Sequence, residues 1–233
     1  MTSRLDERPQ AYARAAGGLY LLVIVLGGFS EGYVRGALVV PGDAAATVAR
    51  IVAAPDLWRL GLATNLAVPL IAVVQLWLEY LLLRPAGRNL ALLFVLLNIA
   101  SLGVEALSKV FELMVLPLAA GGGADAHALA VMALLGHDMA FNVALLFFGV
   151  ACLISGALIF RSGYLPRAVG VLMQIAGASY LVVTLATLFA PKIADAVSPA
   201  SFALILAGEG SMCLWLLIRG VNRDRWAAKA AEA

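Results

Sequence analysis

The sequence predicts an all-α, polytopic transmembrane bundle of six helices. Three observations lead to this class. The 233 residues are 63% hydrophobic and 13% charged, with a mean hydropathy of +0.97, whereas a soluble domain carries roughly 25% charged residues. Apolar segments long enough to cross a bilayer recur between short polar turns. The lysines and arginines cluster in alternate turns, which is typical of multi-pass membrane proteins.

The first apolar segment follows a polar N-terminal stretch, residues 1–14. It covers residues 15–37, which is too long for the hydrophobic core of a signal peptide, and it lacks a small-residue cleavage site. We therefore interpret it as a retained first span. Near its far end, Glu31 and Arg35 stand four positions apart, the spacing at which opposite charges meet on a helix.

Helix-start patterns define the next two elements. A proline–glycine turn precedes Asp43, which can cap a short interfacial helix over residues 44–54. Asp56 is expected to cap the second span, residues 57–83, in the same way. Trp58 then falls where an aromatic residue of the membrane interface is expected.

The later spans are apolar runs between turn residues. The glycines at 121–123 predict a loop after the third span, and the prolines within 191–199 predict a loop before the last one. The predicted spans cover residues 15–37, 57–83, 89–118, 134–160, 168–190 and 200–218. Together they form one transmembrane domain, residues 15–219, followed by a basic tail, residues 220–233.

The distribution of basic residues predicts the orientation. The N-terminal segment, the turns after spans two and four, and the tail carry Arg4, Arg8, Arg14, Arg84, Arg88, Arg161, Arg167, Arg219, Arg223, Arg225 and Lys229. The opposite loops carry chiefly Arg50, Arg59 and Lys192. By the positive-inside rule, both termini are expected in the cytoplasm.

The third span carries a stripe of polar residues. They recur every three or four positions and so share one helix face over about 21 Å; they are Asn98, Ser101, Glu105, Ser108, Lys109 and Glu112. We expect Asn98 and Ser101 to serve helix packing. The three charges allow two interpretations. They pair with one another and let the helix pack in a bundle, or Lys109 neutralises one carboxylate while the other faces a ligand.

Most ionisable residues of the spans fall in the outer half of the predicted bundle. Such groups are costly at membrane depth and usually face a bundle interior or a water-filled cavity. The topology brings them together from five spans, which makes this zone the candidate ligand site. Its predicted residues are Glu31, Arg35, Arg59, Asn65, Glu105, Lys109, Glu112, His137, Asp138, Asn142 and Glu209. The inner half holds mainly Gln75 and Glu79, and Glu79 is expected to reach the interface.

The sequence contains candidate metal ligands but no established catalytic or metal-binding motif. His137, Asp138, Glu105 and Glu112 are candidate ligands for a divalent metal such as Zn, Mn or Fe, although no HxxxH, HExxH or Glu-x-x-His spacing accompanies them. His137 and Asp138 point about 100° apart on a helix and so do not form a pair. The sequence shows no serine-hydrolase elbow and no phosphate-binding glycine loop. Neither a catalytic residue nor a cofactor is therefore assigned.

Short motifs spread over most of the chain carry a family resemblance. They are Arg14-x-x-Gly17-x-Leu19-Tyr20-Leu21, the Glu31/Arg35 pair, Pro41-Gly42-Asp43-Ala44 with Thr47, Arg59-x-Gly61, Asn89-Leu90-Ala91-Leu92, Phe147-Phe148-Gly149 and Ser162-Gly163-Tyr164-Leu165-Pro166-Arg167-x-x-Gly170. In this combination the chain resembles, from about Ala13 to Phe189, the bacterial polytopic membrane proteins catalogued as domain of unknown function 4386. The resemblance implies a multi-pass protein of the bacterial inner membrane and no established activity.

Three functional hypotheses follow from these patterns. The leading one is an inner-membrane protein whose ionisable pocket binds or translocates a small ligand, ion or proton. The first alternative is an intramembrane, metal-assisted hydrolase that acts on a lipid or another amphiphile. The second is an accessory subunit of a larger membrane complex. The expected partners are the lipid bilayer and a small ligand or ion, with a homo-oligomer or larger complex left open and no nucleic acid.

Overall fold

The structure, a computed structural model, describes residues 8–232. Within this range the chain is helical and contains no β-strand. Half of the predicted N-terminal segment, residues 1–7, lies outside the described residues. From Pro9 onward the segment belongs to the first helix, because proline suits the first helical position, where its missing N–H is not needed.

The first span is a continuous helix whose winding changes midway. Helix α1 covers Pro9–Gly27, a π-helix covers Gly28–Val34, and α2 covers Arg35–Leu38. The change begins at two consecutive glycines, which are poor helix formers. π-Helical segments are rare and frequently lie at functional sites.

The other helices follow in up-and-down order. They are α3 Ala44–Ala53, α4 Pro55–Leu83, α5 Arg88–Ala120, α6 Gly123–Ser162, α7 Arg167–Phe189, α8 Pro191–Ile218 and α9 Arg223–Glu232. Among the described residues, six helices are long and apolar enough to cross a membrane: the first span and α4 to α8. This confirms the predicted six-span helical fold.

Two of the later helices start about ten residues before their predicted positions. Helix α6 begins at Gly123, well before residue 134, so the glycines form a tight turn rather than a loop. Gly122 has a φ of 71°, a left-handed conformation that glycine adopts without steric cost. Helix α8 begins at Pro191 and continues through Pro199, so the loop predicted over 191–199 is helical. Proline is tolerated in transmembrane helices because neighbouring groups satisfy the freed carbonyl.

The six spans form a closed ring in chain order. Each span packs against the next, and α8 returns to pack against α1. Glycines allow the backbones to approach closely. A Cβ at Gly170 on α7 would clash with the backbone of Phe160 on α6, and one at Gly17 on α1 would clash with Leu217 on α8. This ring leaves an interior whose lining comes from all the spans.

We call the end of the ring that holds α3 and the α5–α6 turn the distal end. Helix α3 packs there against α4, α5 and α6. The predicted cap is confirmed, because Ala46 N donates to Asp43 Oδ1 at 2.8 Å. The predicted cap of α4 is wrong, because the helix already starts at Pro55 and Asp56 pairs with Arg59 instead.

Trp58 lies in the first turn of α4, but it does not face outward as an aromatic residue of the membrane interface would. Its side chain is buried, in an apolar cluster that α3 shares with α4 and α6. Val48 and Ile51 of α3 belong to the same cluster. The distal end of the ring is therefore closed by packed apolar side chains.

The opposite, basic end holds the start of α1, the turns after α4 and α6, and α9. The predicted tail is mostly helix α9, which is anchored by a buried tryptophan. Trp226 Nε1 donates to Leu82 O at 3.1 Å, and the Tyr164 hydroxyl donates to the same oxygen at 2.7 Å. Both donors satisfy a carbonyl at the end of α4, where the helix itself offers no partner.

Candidate functional site

The first span carries Glu31 and Arg35 into the bundle near the distal end. Their predicted ion pair is present, with Arg35 Nε 3.2 Å from Glu31 Oε2. Ser30 Oγ donates to Gly61 O at 3.1 Å, which ties the π-helix to α4. A Cβ at Gly61 would clash with Val34, so only glycine allows this close contact.

Glu112 lies at the centre of a buried polar network. Its Oε1 accepts from Arg35 Nη1 at 3.0 Å, and its Oε2 accepts from Asn65 Nδ2 at 3.2 Å. Asn65 Nδ2 also donates to Glu31 Oε1 at 2.8 Å. The Glu112 side chain is only 3% exposed. A carboxylate so deeply buried needs such partners, because an unpaired charge in a low-dielectric interior is costly.

Lys109 is completely buried beside this network. Its Nζ lies 3.4 Å from Glu31 Oε1 and 4.6 Å from the centroid of the Phe141 ring. The ring face adds a favourable cation–π contact. Among the described residues the ion pair of Lys109 is with Glu31, not with Glu105 or Glu112. This ion pair runs between spans, whereas the first interpretation of the stripe expected the three charges of α5 to pair with one another.

His137 and Asp138 point to different partners, as their spacing predicts. Asp138 Oδ1 accepts from Arg35 Nη2 at 2.6 Å, and its side chain is half exposed. His137 is buried and places Nδ1 3.2 Å from Ser108 O and Nε2 3.4 Å from Glu112 Oε1. We call the seven residues Glu31, Arg35, Asn65, Lys109, Glu112, His137 and Asp138 the ion network.

The ion network is suited to hold one proton. A carbonyl oxygen can only accept, so His137 Nδ1 must donate to Ser108 O. Nε2 then faces a carboxylate oxygen of Glu112, and a proton on either atom turns that contact into a hydrogen bond. The charge balance of the network leaves room for this proton. Its three carboxylates carry one charge more than its two permanent cations, Arg35 and Lys109.

Four predicted site residues lie outside the ion network: Glu105, which faces the cavity described below, and Arg59, Asn142 and Glu209. Arg59 pairs with Asp56 at 3.0 Å where both side chains are largely exposed, so it does not close the site. Asn142 donates to a backbone carbonyl of its own helix at 2.8 Å. Glu209 accepts from the Tyr180 hydroxyl at 2.5 Å, far along α8 from its distal start. The network thus joins four spans rather than the predicted five.

A cavity of about 640 Å³ lies inside the ring, and all six spans line it. Most of its lining is apolar and includes Ile24, Leu76, Phe94, Phe148 and Ile205. Its polar lining consists mainly of Tyr20, Glu31, Asn65, Gln75, Glu79, Asn98, Ser101, Glu105, Ser155, Tyr180 and Glu209. No lysine, arginine or histidine is among the described residues that line it. The cavity therefore combines an apolar body with four carboxylates, and among the described residues only Glu31 of these four has an ion pair.

Glu105 is the part of the α5 stripe that faces this cavity. Among the described residues, its carboxylate has no hydrogen-bond donor and no ion pair within 4.0 Å. Lys109 pairs with Glu31 instead. The second interpretation of the stripe also expected Lys109 to neutralise its other carboxylate, so the structure matches that interpretation only in that Glu105 has no ion pair. Ser101 serves packing as expected, since its Oγ donates to Ala144 O of α6 at 2.8 Å.

Polar groups nearer the basic end also line the cavity, although the sequence analysis did not place them in the candidate site. Glu79 does not reach the interface, because it is buried and accepts from Gln75 Nε2 at 2.9 Å. Tyr20 and Tyr180 line the same part of the cavity but carry no permanent charge, so they did not stand out in apolar spans. The i, i+4 spacing of Gln75 and Glu79 was the available indication.

Glu31, Glu112 and His137 form the described group that could hold a metal ion. Each offers a ligand atom, and these atoms lie within 4.8 Å of one another. Carboxylates and imidazole suit Zn, Mn or Fe. The group shares Glu112 and His137 with the predicted metal candidates but replaces Asp138 and Glu105 by Glu31. Arg35 and Lys109 already pair with its carboxylates, so a metal ion would compete with two cations for the same oxygens.

The fold and this site define a polytopic membrane protein with a buried ion network next to the distal part of an internal cavity. The chain belongs to the family described as "Domain of unknown function (DUF4386)", which matches residues 15–220. The match confirms the resemblance noted in the sequence and extends it into the last span. Comparison with curated proteins and with solved structures gave no match.

Proposed function

We propose that this membrane protein binds a small, largely apolar molecule in the cavity inside the ring. The observation that carries the proposal is the cavity itself, about 640 Å³ in volume and lined by all six spans. Small-molecule sites typically have volumes of roughly 300–1,000 Å³, a mostly apolar lining and a few placed polar groups. This cavity has all three properties.

In this proposal the ion network and the cavity have separate roles. The network charges satisfy one another across four spans, and of the network residues Glu31 and Asn65 line the cavity. Glu105 has no such partner and faces the cavity, so it is the polar group available to a ligand at this end.

The cavity has a mouth between the first span and α8. Gly28 and Gly32 line the cavity and are exposed, and so are Phe202 and Leu206 on the facing helix. A Cβ at either glycine would meet no neighbouring atom. Nearer the basic end the same helices touch, since Gly17 has no room for a Cβ. The two helices therefore diverge toward the distal end.

The depth of this mouth indicates where a ligand enters. Phe202 lies about 17 Å along α8 from Pro191, at ~1.5 Å per residue, and so well inside the apolar part of the span. The mouth therefore opens toward lipid chains rather than water, which favours a ligand that partitions into the bilayer. From the basic turns and the family we infer a bacterial cytoplasmic membrane, with the distal end facing outward.

The experiment compares ligand binding to a cavity-filling variant and to a matched control. The protein is placed in lipid nanodiscs, and its unfolding temperature is measured with increasing 2-phenylethanol or 2-naphthaleneethanol. We expect saturable stabilisation, because a ligand that binds only the folded state raises its stability. Ala72→Phe, which fills the cavity, should abolish the effect. Ala106→Phe, on the exposed face of α5, should leave it unchanged.

Equal responses of the two variants would overturn the proposal, because the compounds would then act through the bilayer. The hydrolase, the accessory subunit and a homo-oligomer stay predictions from the sequence. A saturable, cavity-dependent response with no consumption of the probe would favour the binding protein over the hydrolase.

A further inference from the structure

A groove of about 350 Å³ lies at the basic end, apart from the cavity inside the ring. It is lined by the turn between α6 and α7 and by the chain that runs from the end of α8 into α9. Its charged lining residues are Arg219 and Arg225, and no described aspartate or glutamate lines it. The groove is therefore positively charged.

The protein does not neutralise these two charges within its described part. Among the described residues neither Arg219 nor Arg225 has an ion pair, and the carboxylate at the end of α9 pairs with Lys229 instead. Arg225 Nη1 donates to Gly163 O at 3.1 Å, which holds the guanidinium at the α6–α7 turn and leaves other N–H donors for a ligand. Both arginines are exposed, so an anion can reach them.

The backbone of the groove is held in place by hydrogen bonds to other elements. Asn222 N donates to Tyr164 O at 3.1 Å, and Val221 N donates to Gln10 Oε1 at 3.1 Å. Gly220 between these segments has a φ of 69°, which favours glycine, and a Cβ there would clash with the Gln10 side chain. The groove therefore exists before any ligand binds.

The groove lies at the boundary between the lipid-facing part of α8 and the polar end of the ring. The last span ends at Ile218, directly before Arg219. Trp215 also lines the groove, and it lies one helical turn before Arg219 on the same face of α8. Leu214 and Ile218 next to it are exposed and apolar. Tryptophan is enriched at this depth of a membrane, at the level of the lipid head groups.

We propose that this groove binds the phosphate head group of an anionic phospholipid, with the acyl chains beside Trp215 on the outside of α8. A guanidinium can donate two parallel hydrogen bonds to a phosphate. Basic pockets at the cytoplasmic ends of transmembrane helices suit such head groups. A soluble phosphate compound has the same charge but would leave the exposed apolar face of α8 unused. The inference is independent of the proposed ligand cavity.

The test compares two lipids that have the same acyl chains and differ in net charge. Dilauroyl-phosphatidylglycerol or dilauroyl-phosphatidylcholine is titrated into the full chain in detergent, and native mass spectrometry measures the dissociation constant of the first bound lipid. We expect the anionic lipid to bind at least about tenfold more tightly, because each arginine near an anionic head group contributes about fivefold. Glycerol 3-phosphate, which has no acyl chains, should bind much more weakly than the anionic lipid.

Two variants locate the effect. Arg219→Gln and Arg225→Gln each remove one charge and should each weaken phosphatidylglycerol binding about fivefold, with little change for phosphatidylcholine. The Arg219 side chain makes no described hydrogen bond or ion pair, so this variant should keep the unfolding temperature of the parent even if Arg225→Gln does not fold. Arg88→Gln is the matched control, because Arg88 is an exposed arginine at the same end that does not line the groove.

Three outcomes would overturn the proposal. Equal affinities for the two lipids would show that the groove does not recognise the anionic head group. Equal losses for Arg88→Gln and Arg219→Gln would mean that the lipid responds to the total charge of the basic end. If glycerol 3-phosphate binds as tightly as phosphatidylglycerol, the groove is a site for a soluble phosphate compound.

Discussion

Arg35 and Glu112 lie on the first and third spans and meet at 3.0 Å in the interior of the ring. Arg35 uses its other nitrogens for Glu31 on its own span and Asp138 on α6. A planar guanidinium directs several N–H donors outward and can bind several carboxylates at once. The compact ammonium group of a lysine is less suited to this. This one residue therefore ties three spans together near the distal end.

Removal of Glu112 should be strongly destabilising. Glu112→Ala leaves Arg35 buried with one partner fewer and removes an acceptor for Asn65. Loss of one member of a buried pair costs about 3–5 kcal/mol. We expect that decrease in the free energy of unfolding, measured by reversible SDS unfolding in mixed micelles. Arg35→Ala and the double variant complete a mutant cycle, with a coupling energy of about 1–3 kcal/mol.

The control for this prediction is the exposed pair of Asp56 and Arg59. Asp56→Ala should leave the unfolding free energy nearly unchanged, because surface ion pairs contribute little. If Glu112→Ala is equally mild, the network is not a structural tie between spans.

The anchor of α9 can be tested separately at the basic end. Trp226→Ala removes a buried ring and the donor to Leu82 O, so we expect a loss of about 3–5 kcal/mol if α9 is part of the folding unit. Trp226→Phe keeps most of the ring and should lose less. Protease cleavage within residues 223–232, followed by mass spectrometry, should increase in the alanine variant only. Unchanged cleavage would show that Trp226 does not hold the helix.

The sequence predicted the spans well because membrane helices follow from local composition. Length and hydropathy do not depend on which helix is the neighbour, so six spans could be placed from the sequence. The ends of the spans were harder to predict. Proline and glycine usually indicate a loop, but Pro191 and Gly123 each begin a helix. Proline and glycine interrupt helices in general, and only the tertiary context shows where they are accommodated.

The site was predicted in part, for a related physical reason. Glu31, Arg35, Glu112 and His137 are costly in a membrane, so their convergence could be anticipated. The partners could not, because the pairing of Lys109 with Glu31 depends on how the first span faces the third. The cavity is an even more global property, since it results from the closure of the ring. The position of Tyr20 on the cavity wall can be recognised only once the cavity itself is known.

The mouth between the first span and α8 predicts a kinetic effect. Gly28→Leu places a side chain into the gap, where a Cβ meets no neighbour, and should slow ligand entry and exit together. The affinity for 2-phenylethanol should change little, because the cavity itself is intact. Stopped-flow tryptophan fluorescence measures both rates. Gly103→Leu is the matched control, since Gly103 is also exposed and free of neighbours but does not line the cavity. Equal rates in both variants would place the entrance elsewhere.

Two carboxylates of the α5 stripe, Glu105 and Glu112, lie on one helix face but differ in their partners. The same substitution at each position should therefore have different effects on the stability of the protein. Glu112 is bound by Arg35 and Asn65, whereas Glu105 faces the cavity without a donor among the described residues. Glu105→Gln removes no hydrogen bond from the fold, and we expect an unfolding free energy equal to or above that of the parent. Glu112→Gln, the same chemical change, should lower it, because the amide supplies no charge for Arg35.

Ligand affinity should separate the two residues as well. If a ligand donor contacts Glu105, Glu105→Gln weakens its binding in calorimetry while the free protein stays at least as stable as the parent. A variant that loses stability without a change in affinity would instead assign Glu105 to the structural network. The relative sizes of the two effects thus decide whether the free carboxylate of the stripe serves the ligand or the fold.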